Sequence, residues 1–410
     1  MNRTQLGIIL ALLVVVGLAG LLTYQKQNRD RASGNAAIGK KLVGDFPVND
    51  VTQISLSQGT DHVTLAKKDD LWSVRERNDY PANYQEISDF LLKLRDMKVT
   101  QSEEVGASQL PRLGLTTGSD TNSALVVDFK DKEAKTIRSV MLGKKHMRKP
   151  TKPSPMDMGM GEEGWPDGRW IKVGDSKTVA LVSDALSNIE PKPEHWLSKE
   201  FFKVEKPKAI SVKYSAETNS WSLSRETETG EWKLADAHPG EQLDAGKTSS
   251  LNYALNSPSF VDVVAAKPED LGMDKGAVVT IETFDGFTYV LKTGQKTNDN
   301  YPLAISVSAK IDTERTPGKD EKPEDKEKLD KEFKEKQKKL EERLAQEKPL
   351  EKWTYLVSSW TLDSVIKDRS HWMAEKKEEK KDDKAGTSAT SGADILTNGL
   401  PAAEPDSTEK

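Results

Sequence analysis

The chain has 410 residues, 35% hydrophobic and 31% charged, a wetter balance than an average globular protein, so part of it is expected to stay outside any core. Its 61 basic and 66 acidic residues leave a net charge of −5, which lacks the basic footprint of a nucleic-acid binder. The absence of cysteine excludes disulfides, thiolate nucleophiles, zinc ribbons and iron–sulfur ligation together.

Leu6 to Leu22 reads LGIILALLVVVGLAGLL, an uncharged run that makes ~25 Å of helix and nears the length needed to cross a bilayer. Gly17-Leu18-Ala19 offers small residues for signal-peptide cleavage, but Leu21 and Leu22 carry the apolar run past that point. The expectation is a retained anchor over residues 1–24. Lys26, Arg29 and Arg31 after the run, against Arg3 before it, would hold the bulk of the chain in the cytoplasm by charge counting. An apolar segment that begins at residue 6 resembles an export signal, and export is the reading adopted. Residues 25–45 contain the small-residue stretch ASGNAAIG and read as a tether.

The body is expected to hold two copies of one module, over 46–197 and 198–374. Val51-Thr-Gln-Ile-Ser-Leu56 matches Pro207-Lys-Ala-Ile-Ser-Val212, and alternating strands follow at His62–Leu65 and Ser220–Leu223. Trp-containing strands come next, at Leu71–Val74 and Glu231–Leu234. Strict alternation of this kind predicts half-buried antiparallel strands joined by tight turns. Tyr84, Ile87, Phe90, Leu91 and Leu94 then make the stripe of an amphipathic helix, with Leu243, Leu251, Ala254 and Leu255 in the matching stretch. Leu110–Leu115 and Pro268–Met273 form a shared Leu-Gly corner, followed in each copy by a hairpin, 124–142 and 277–291. Arg169–Val173 is set against Lys352–Leu356, and His195-Trp196 against His371-Trp372, as the closing elements. Insertions over 146–168, rich in Pro, Gly and Met, and over 309–351, dense in charge, interrupt both copies at the same point. The fold class expected is α+β: an N-terminal transmembrane helix, then two tandem, mainly antiparallel β modules with one amphipathic helix each. Residues 375–410 lack the apolar pattern of a core and are expected to be disordered.

Chemistry-bearing patterns are few. Gly159-Met-Gly-Glu-Glu-Gly164 matches a dinucleotide fingerprint as a string, but Pro-rich sequence precedes it and Trp165-Pro166 follows, where a strand and a helix N-terminus are needed. Met156, Met158 and Met160, with Met147 and His146, offer soft ligands for Cu(I), or an incidental flexible loop. His195 and His371 read as structural partners of their tryptophans, since a catalytic histidine needs an acid or nucleophile beside it. Across 322–352, Glu324 with Lys328, Glu327 with Lys331 and Glu335 with Lys339 support an exposed helix. Leu329, Phe333, Leu340 and Leu344 give that helix a thin heptad-like stripe, suited to a coiled-coil partner or to its own module. No residue is assigned as catalytic, cofactor-binding or metal-ligating.

Taken together, the anchor, the VTQISL strand, the Trp hairpin, the Tyr80-Pro-Ala-Asn83 turn into the Ile/Leu helix and the Leu-Gly-Leu corner resemble an uncharacterised bacterial domain-of-unknown-function family. Its members are commonly encoded beside gliding-motility-type ABC transporter subunits. The resemblance implies a non-enzymatic, single-pass accessory or scaffold protein of an ABC-type transport or secretion system. Its soluble part would be periplasmic at the inner membrane, with permease and ATPase subunits as partners. The alternatives are a periplasmic module binding cell-wall glycan or peptide, for which a pocket lined by Trp165 or Trp170 would speak, and an unrecognised hydrolase built on converging carboxylates or a His–carboxylate pair.

Overall fold

The computed structural model describes Gly20 and residues 37–118, 123–148, 164–266, 268–318 and 321–374. The predicted anchor (Gly20 apart), most of the tether, the Met-rich part of the first insertion and the tail lie outside the described residues. No helix among the described residues is long and apolar enough to cross a membrane. The body is mixed α+β, with two mostly antiparallel sheets.

The first sheet holds β1 (Gln53–Gln58), β2 (Asp61–Lys68), β3 (Leu71–Val74), β4 (Tyr80–Pro81), β5 (Val99–Glu104), β6 (Leu125–Lys130), β7 (Thr136–Arg148), β8 (Trp165–Val173) and β9 (Thr178–Val182), in the order β4-β3-β2-β1-β6-β7-β8-β9-β5. Alternation is the cause. Ile54 and Leu56 in β1, Val63 and Leu65 in β2, and Val127 and Phe129 in β6 turn one face inward, and the registers Ile54↔Leu65 and Ile54↔Phe129 bring these faces level. Helix α1 (Tyr84–Asp96) covers that face with Ile87, Phe90, Leu91 and Leu94. It starts at Asn83, whose Oδ1 accepts from Glu86 N, and Lys93 and Arg95 suit the negative end of its dipole.

The second sheet holds β10 (Pro207–Lys213), β11 (Trp221–Ser224), β12 (Lys233–Leu234), β13 (Asp262–Val264), β14 (Val278–Thr283), β15 (Phe287–Thr293), β16 (Asn300–Ala309) and β17 (Thr354–Ser358), in the order β12-β11-β10-β14-β15-β16-β17-β13. Strand for strand this parallels the first sheet without β4. The closing turns correspond as well. Trp196 O accepts from Asn83 N at 2.7 Å, and Trp372 O accepts from Asp244 N at 2.9 Å. The Leu-Gly corners also dock alike, since a Cβ on Gly143 would collide with Leu113 O and one on Gly294 with Leu271 O.

Four expectations need correction. At the position matching α1, no comparable amphipathic helix stands among the described residues of the second half. That position has only α2 (Ala245–Thr248), continued by a 3-10 turn over Ser249–Tyr253. There the hydroxyls of Thr248, Ser249 and Ser250 bond back to Asp244 O, Gly246 O and Lys247 O, in a stretch poor in strong helix formers. The closing strands were misaligned: β17 takes the position of β9, and β16 that of β8. The insertions therefore do not share a site, since the first lies between β7 and β8 and the second between β16 and β17. The tether also ends early. Gly39 N donates to Val99 O and Leu42 N to Met97 O, both at 2.8 Å, because the open edge of β5 accepts another strand segment, and Val43 is already core.

The second insertion contains α3 (Lys326–Glu347), 22 residues or ~33 Å of helix. A further short helix, α4 (Ser359–Leu362), follows β17.

The two sheets share one hydrophobic cluster rather than two. At their junction Tyr80 meets Phe260, Trp353 and Tyr355 at ring-centroid distances of 5.8, 4.9 and 6.0 Å, and Phe201 packs on Tyr355 at 4.8 Å. Burial pushes the Tyr80 phenol up to about 12. Arg77 reaches across with a bidentate pair to Asp262, 2.8 Å on each arm, and sits 3.5 Å from Glu194. Residues 37–373 thus belong to a single unit.

Candidate functional site

Between α1 and the edge of the first sheet lies a groove of about 350 Å³. Ile87, Leu91 and Trp72 form its floor, and Val48 and Val51 close one wall. Tyr84 and Leu92 stand at its rim, 62% and 40% exposed, eight residues and so ~12 Å apart along the helix. Lys67 lines the other side and is held by Asp70 at 2.9 Å. Asn49 and Ser88 add polar groups to the lining, and exposed apolar side chains beside a preformed groove of this mixed kind suit a binding surface.

Three His–carboxylate pairs occur among the described residues, the geometry a hydrolase would need. His146 Nδ1 is 2.6 Å from Asp167 Oδ1 on the exposed extension of β7 and β8. His195 Nε2 is 3.9 Å from Glu86 Oε2. Both atoms are buried and neither makes a hydrogen bond. His238 Nδ1 is 3.1 Å from Glu241 Oε2, beside a cleft of about 630 Å³ lined by Ser211, Ser222 and Tyr214. There the carboxylate is already engaged. Arg369 donates to Glu241 at 3.0 and 2.8 Å and to Asp236 at 2.9 Å. Those bonds hold the Glu241 carboxyl at about 2, too low for an effective general base near neutrality.

The residues singled out in the sequence fall as follows. Gly159 and its neighbours, and Met156, Met158 and Met160, lie outside the described residues; Gly164 leads directly into β8. Met147 and Trp165 are exposed on the hairpin arms, while Trp170 packs into a satellite cluster with Leu113, Leu115 and Val179. No group of three metal-ligating side chains gathers among the described residues. Trp196 and Trp372 are fully buried, each with its histidine edge-on at 5.6 and 4.9 Å. Burial, with Lys367 and Lys247 nearby, pushes His371 below its ordinary value.

The charged helix does not stand free. Arg343 bonds Glu347 and Glu205, each at 3.0 Å, Glu347 accepts from Tyr289 at 2.8 Å, and Lys336 reaches Asp285 at 2.6 Å. Leu340 and Leu344 pack on the core, so the stripe serves the helix's own module. The ion pairs that form are Lys328–Glu332, Lys331–Glu335 and Lys338–Glu342, not those expected. Glu335 has a lysine four residues away on either side, so either can close, and Glu324 precedes the first turn.

Sequence reasoning missed Arg77, Glu347 and the open groove. Arg77 carries no local signal, since Asp262 is 185 residues away; Glu347 has Arg343 four residues before it, but its bond from Tyr289 spans 58 residues. The groove was open to detection, because the matching strands of the two halves differ at Lys67 and Arg225.

No significant match emerges among curated proteins or solved structures. A family profile does match over residues 72–276, half of the 410-residue chain. The chain therefore belongs to the DUF4340 family, a domain of unknown function.

Proposed function

We propose that this chain is a membrane-tethered, non-enzymatic adaptor of an ABC-type transport or secretion system, built from two copies of one module and facing the periplasm. The observation that carries this reading is the groove beneath α1, an open surface of mixed apolar and polar lining on a body whose two sheets are welded by a common core and the Arg77–Asp262 pair. A rigid body with a preformed groove suits docking, because little ordering entropy is lost on association. The apolar run Leu6–Leu22 supports the tether, and the parallel strand orders support the duplication.

The test is purification of the tagged full-length chain from native membranes in mild detergent, with co-purifying proteins identified by mass spectrometry. Recovery of ABC permease or ATPase subunits, lost when residues 1–24 are replaced by a soluble leader, is the expected result. Isolation of the chain alone, while other membrane complexes survive the same detergent, would reject the adaptor reading.

A further inference from the structure

The first half carries an arm that the second lacks. Past Leu142, β6 has ended and β7 is bordered by β8 alone, while β9 follows β8 only as far as Arg169. Lys145 to Arg148 and Trp165 to Gly168 therefore form a two-stranded ribbon beyond the sheet, with His146↔Gly168, Met147↔Pro166 and Arg148↔Trp165 as its pairs. At the matching place in the second half the chain turns back at once: Gly294 N donates to Pro302 O at 2.7 Å, and Thr297 bridges Asn300. A two-stranded ribbon on its own is marginal in water, so the arm adds little to the stability of the body.

The chemistry of the arm is cationic and amphipathic. Lys144, Lys145, His146, Met147 and Arg148 are all exposed, as is Trp165 on the facing strand. Asp167 is the carboxylate on the described part of the arm, and His146 takes it at 2.6 Å. Glu190, close enough to feel Lys145, is bound by Lys192 at 2.7 Å. Lys144, Lys145 and Arg148 make no ion pair among the described residues. At the base of the arm Arg169 is buried, donates to the carbonyls of Gly143, Ala185 and Leu186, and meets no carboxylate among the described residues. This cationic cluster runs against the sign of the chain, whose net charge is −5. Exposed Trp beside unpaired Lys and Arg suits a water–lipid boundary, where the indole sits at headgroup level and the cations meet phosphate.

The arm also stands where a bilayer can meet it. The row Lys145↔Arg169↔Val182↔Val99 runs across β7, β8, β9 and β5, and at its far end Gly39 N donates to Val99 O. The chain thus enters the body four strand spacings, ~19 Å, from the arm, and Arg148 lies three residues, ~10 Å, beyond that row. Residues 25–36, between the apolar run and the described body, reach ~40 Å when extended, which covers both offsets. We infer that the arm rests on an anionic phospholipid surface, with Lys144, Lys145 and Arg148 at the headgroup phosphates and Met147 and Trp165 in the interface. The body then lies against the bilayer instead of swinging from its tether. Each cation near an anionic leaflet strengthens binding roughly fivefold, so three give on the order of a hundredfold. That is weak for a free protein and sufficient for one already held at the surface by a first anchor. This inference rests on the tether in the proposed function and adds the surface that meets the lipid.

The test uses the full-length chain in nanodiscs of phosphatidylcholine alone or with phosphatidylglycerol added. The chain has no cysteine, so Pro166→Cys on the arm and, as control, Thr229→Cys after β11 each take a single nitroxide label. Electron paramagnetic resonance then compares the label's collisions with oxygen, which concentrates in lipid, and with a water-soluble nickel chelate. In the anionic discs the label at 166 is expected to gain oxygen contact and lose nickel contact, while in neutral discs it reads as aqueous, and the label at 229 reads as aqueous in both. Lys144→Gln/Lys145→Gln/Arg148→Gln, all at exposed positions, should lower the ratio of immersed to aqueous label on the order of a hundredfold. The inference is overturned if the label at 166 stays aqueous in anionic discs, is immersed equally in neutral ones, is matched by the label at 229, or is unmoved by the triple variant. A chain that elutes apart from the discs would reject the tether, and the inference with it; a chain that elutes with them while its label at 166 stays aqueous would reject the arm alone.

Discussion

At the scale of single residues, the two closing tryptophans are satisfied unequally. Trp196 Nε1 donates to Glu190 O at 2.8 Å, whereas Trp372 Nε1 is buried with no partner among the described residues. Removing a satisfied buried donor strands its acceptor, whereas removing an unsatisfied one relieves a desolvation cost. Trp196→Phe should therefore lower stability by ~1–2 kcal/mol in urea unfolding, and Trp372→Phe should cost less or stabilise. A larger loss for Trp372→Phe would contradict the assignment. Glu241 gives a pH dependence of definite sign. Its bonds to Arg369 and His238 depress its pKa from 4.5 to about 2 on folding. The stability it contributes is complete above the unfolded value and is lost as pH falls through that window. Glu241→Gln should flatten the acid limb of a stability–pH profile there, and an unchanged limb would show that other carboxylates carry it. Such contacts were not legible in the sequence, because Arg369 lies 128 residues from Glu241 and no periodicity couples them.

At the scale of elements, alternation was readable wherever one sheet face is buried: Ile54, Leu56, Val63 and Leu65 announce β1 and β2 directly. The helix stripe from Ile87 to Leu94 was readable for the same reason. Transfer of that stripe to the second half failed because hydrophobic spacing was preserved while helix propensity was not, and the hydroxyl-rich Thr248–Ser250 tightened the segment into a 3-10 turn. The closing strands were misplaced because a shared Trp outweighed strand order, which only hydrogen-bond register reveals. Joining of the sheets was equally hidden, since it depends on Arg77 and Asp262. Both side chains are about one-fifth exposed, 21% and 22%. Arg77→Ala strands a half-desolvated carboxylate and should cost ~2–3 kcal/mol, less than a fully buried pair would. Broadening of the thermal transition, as the two sheets begin to melt apart, should accompany the loss. A sharp transition with unchanged midpoint would mean that the aromatic junction suffices alone.

At the scale of the whole molecule, the family match and the structural unit have different limits. Residues 72–276 begin within β3 and end before β14, so they omit β1 and β2 from the first sheet and the four strands β14 to β17 from the second. A fragment of that span loses the strands next to β6 and β10 and exposes much of the common core. It should show no cooperative unfolding by calorimetry, in contrast to the full chain, and a sharp transition in the fragment would contradict the single-core account. The larger claim is that this welded body is a docking platform held at a membrane. The most direct measurement places a photo-crosslinking amino acid at Leu92, on the groove rim, in the full-length chain in living cells, with a second version at the exposed Thr229, after β11 in the other sheet, as control. The account predicts a specific adduct with a transporter subunit from Leu92 and none from Thr229. Equal labelling from both positions, or no adduct from Leu92, would contradict it.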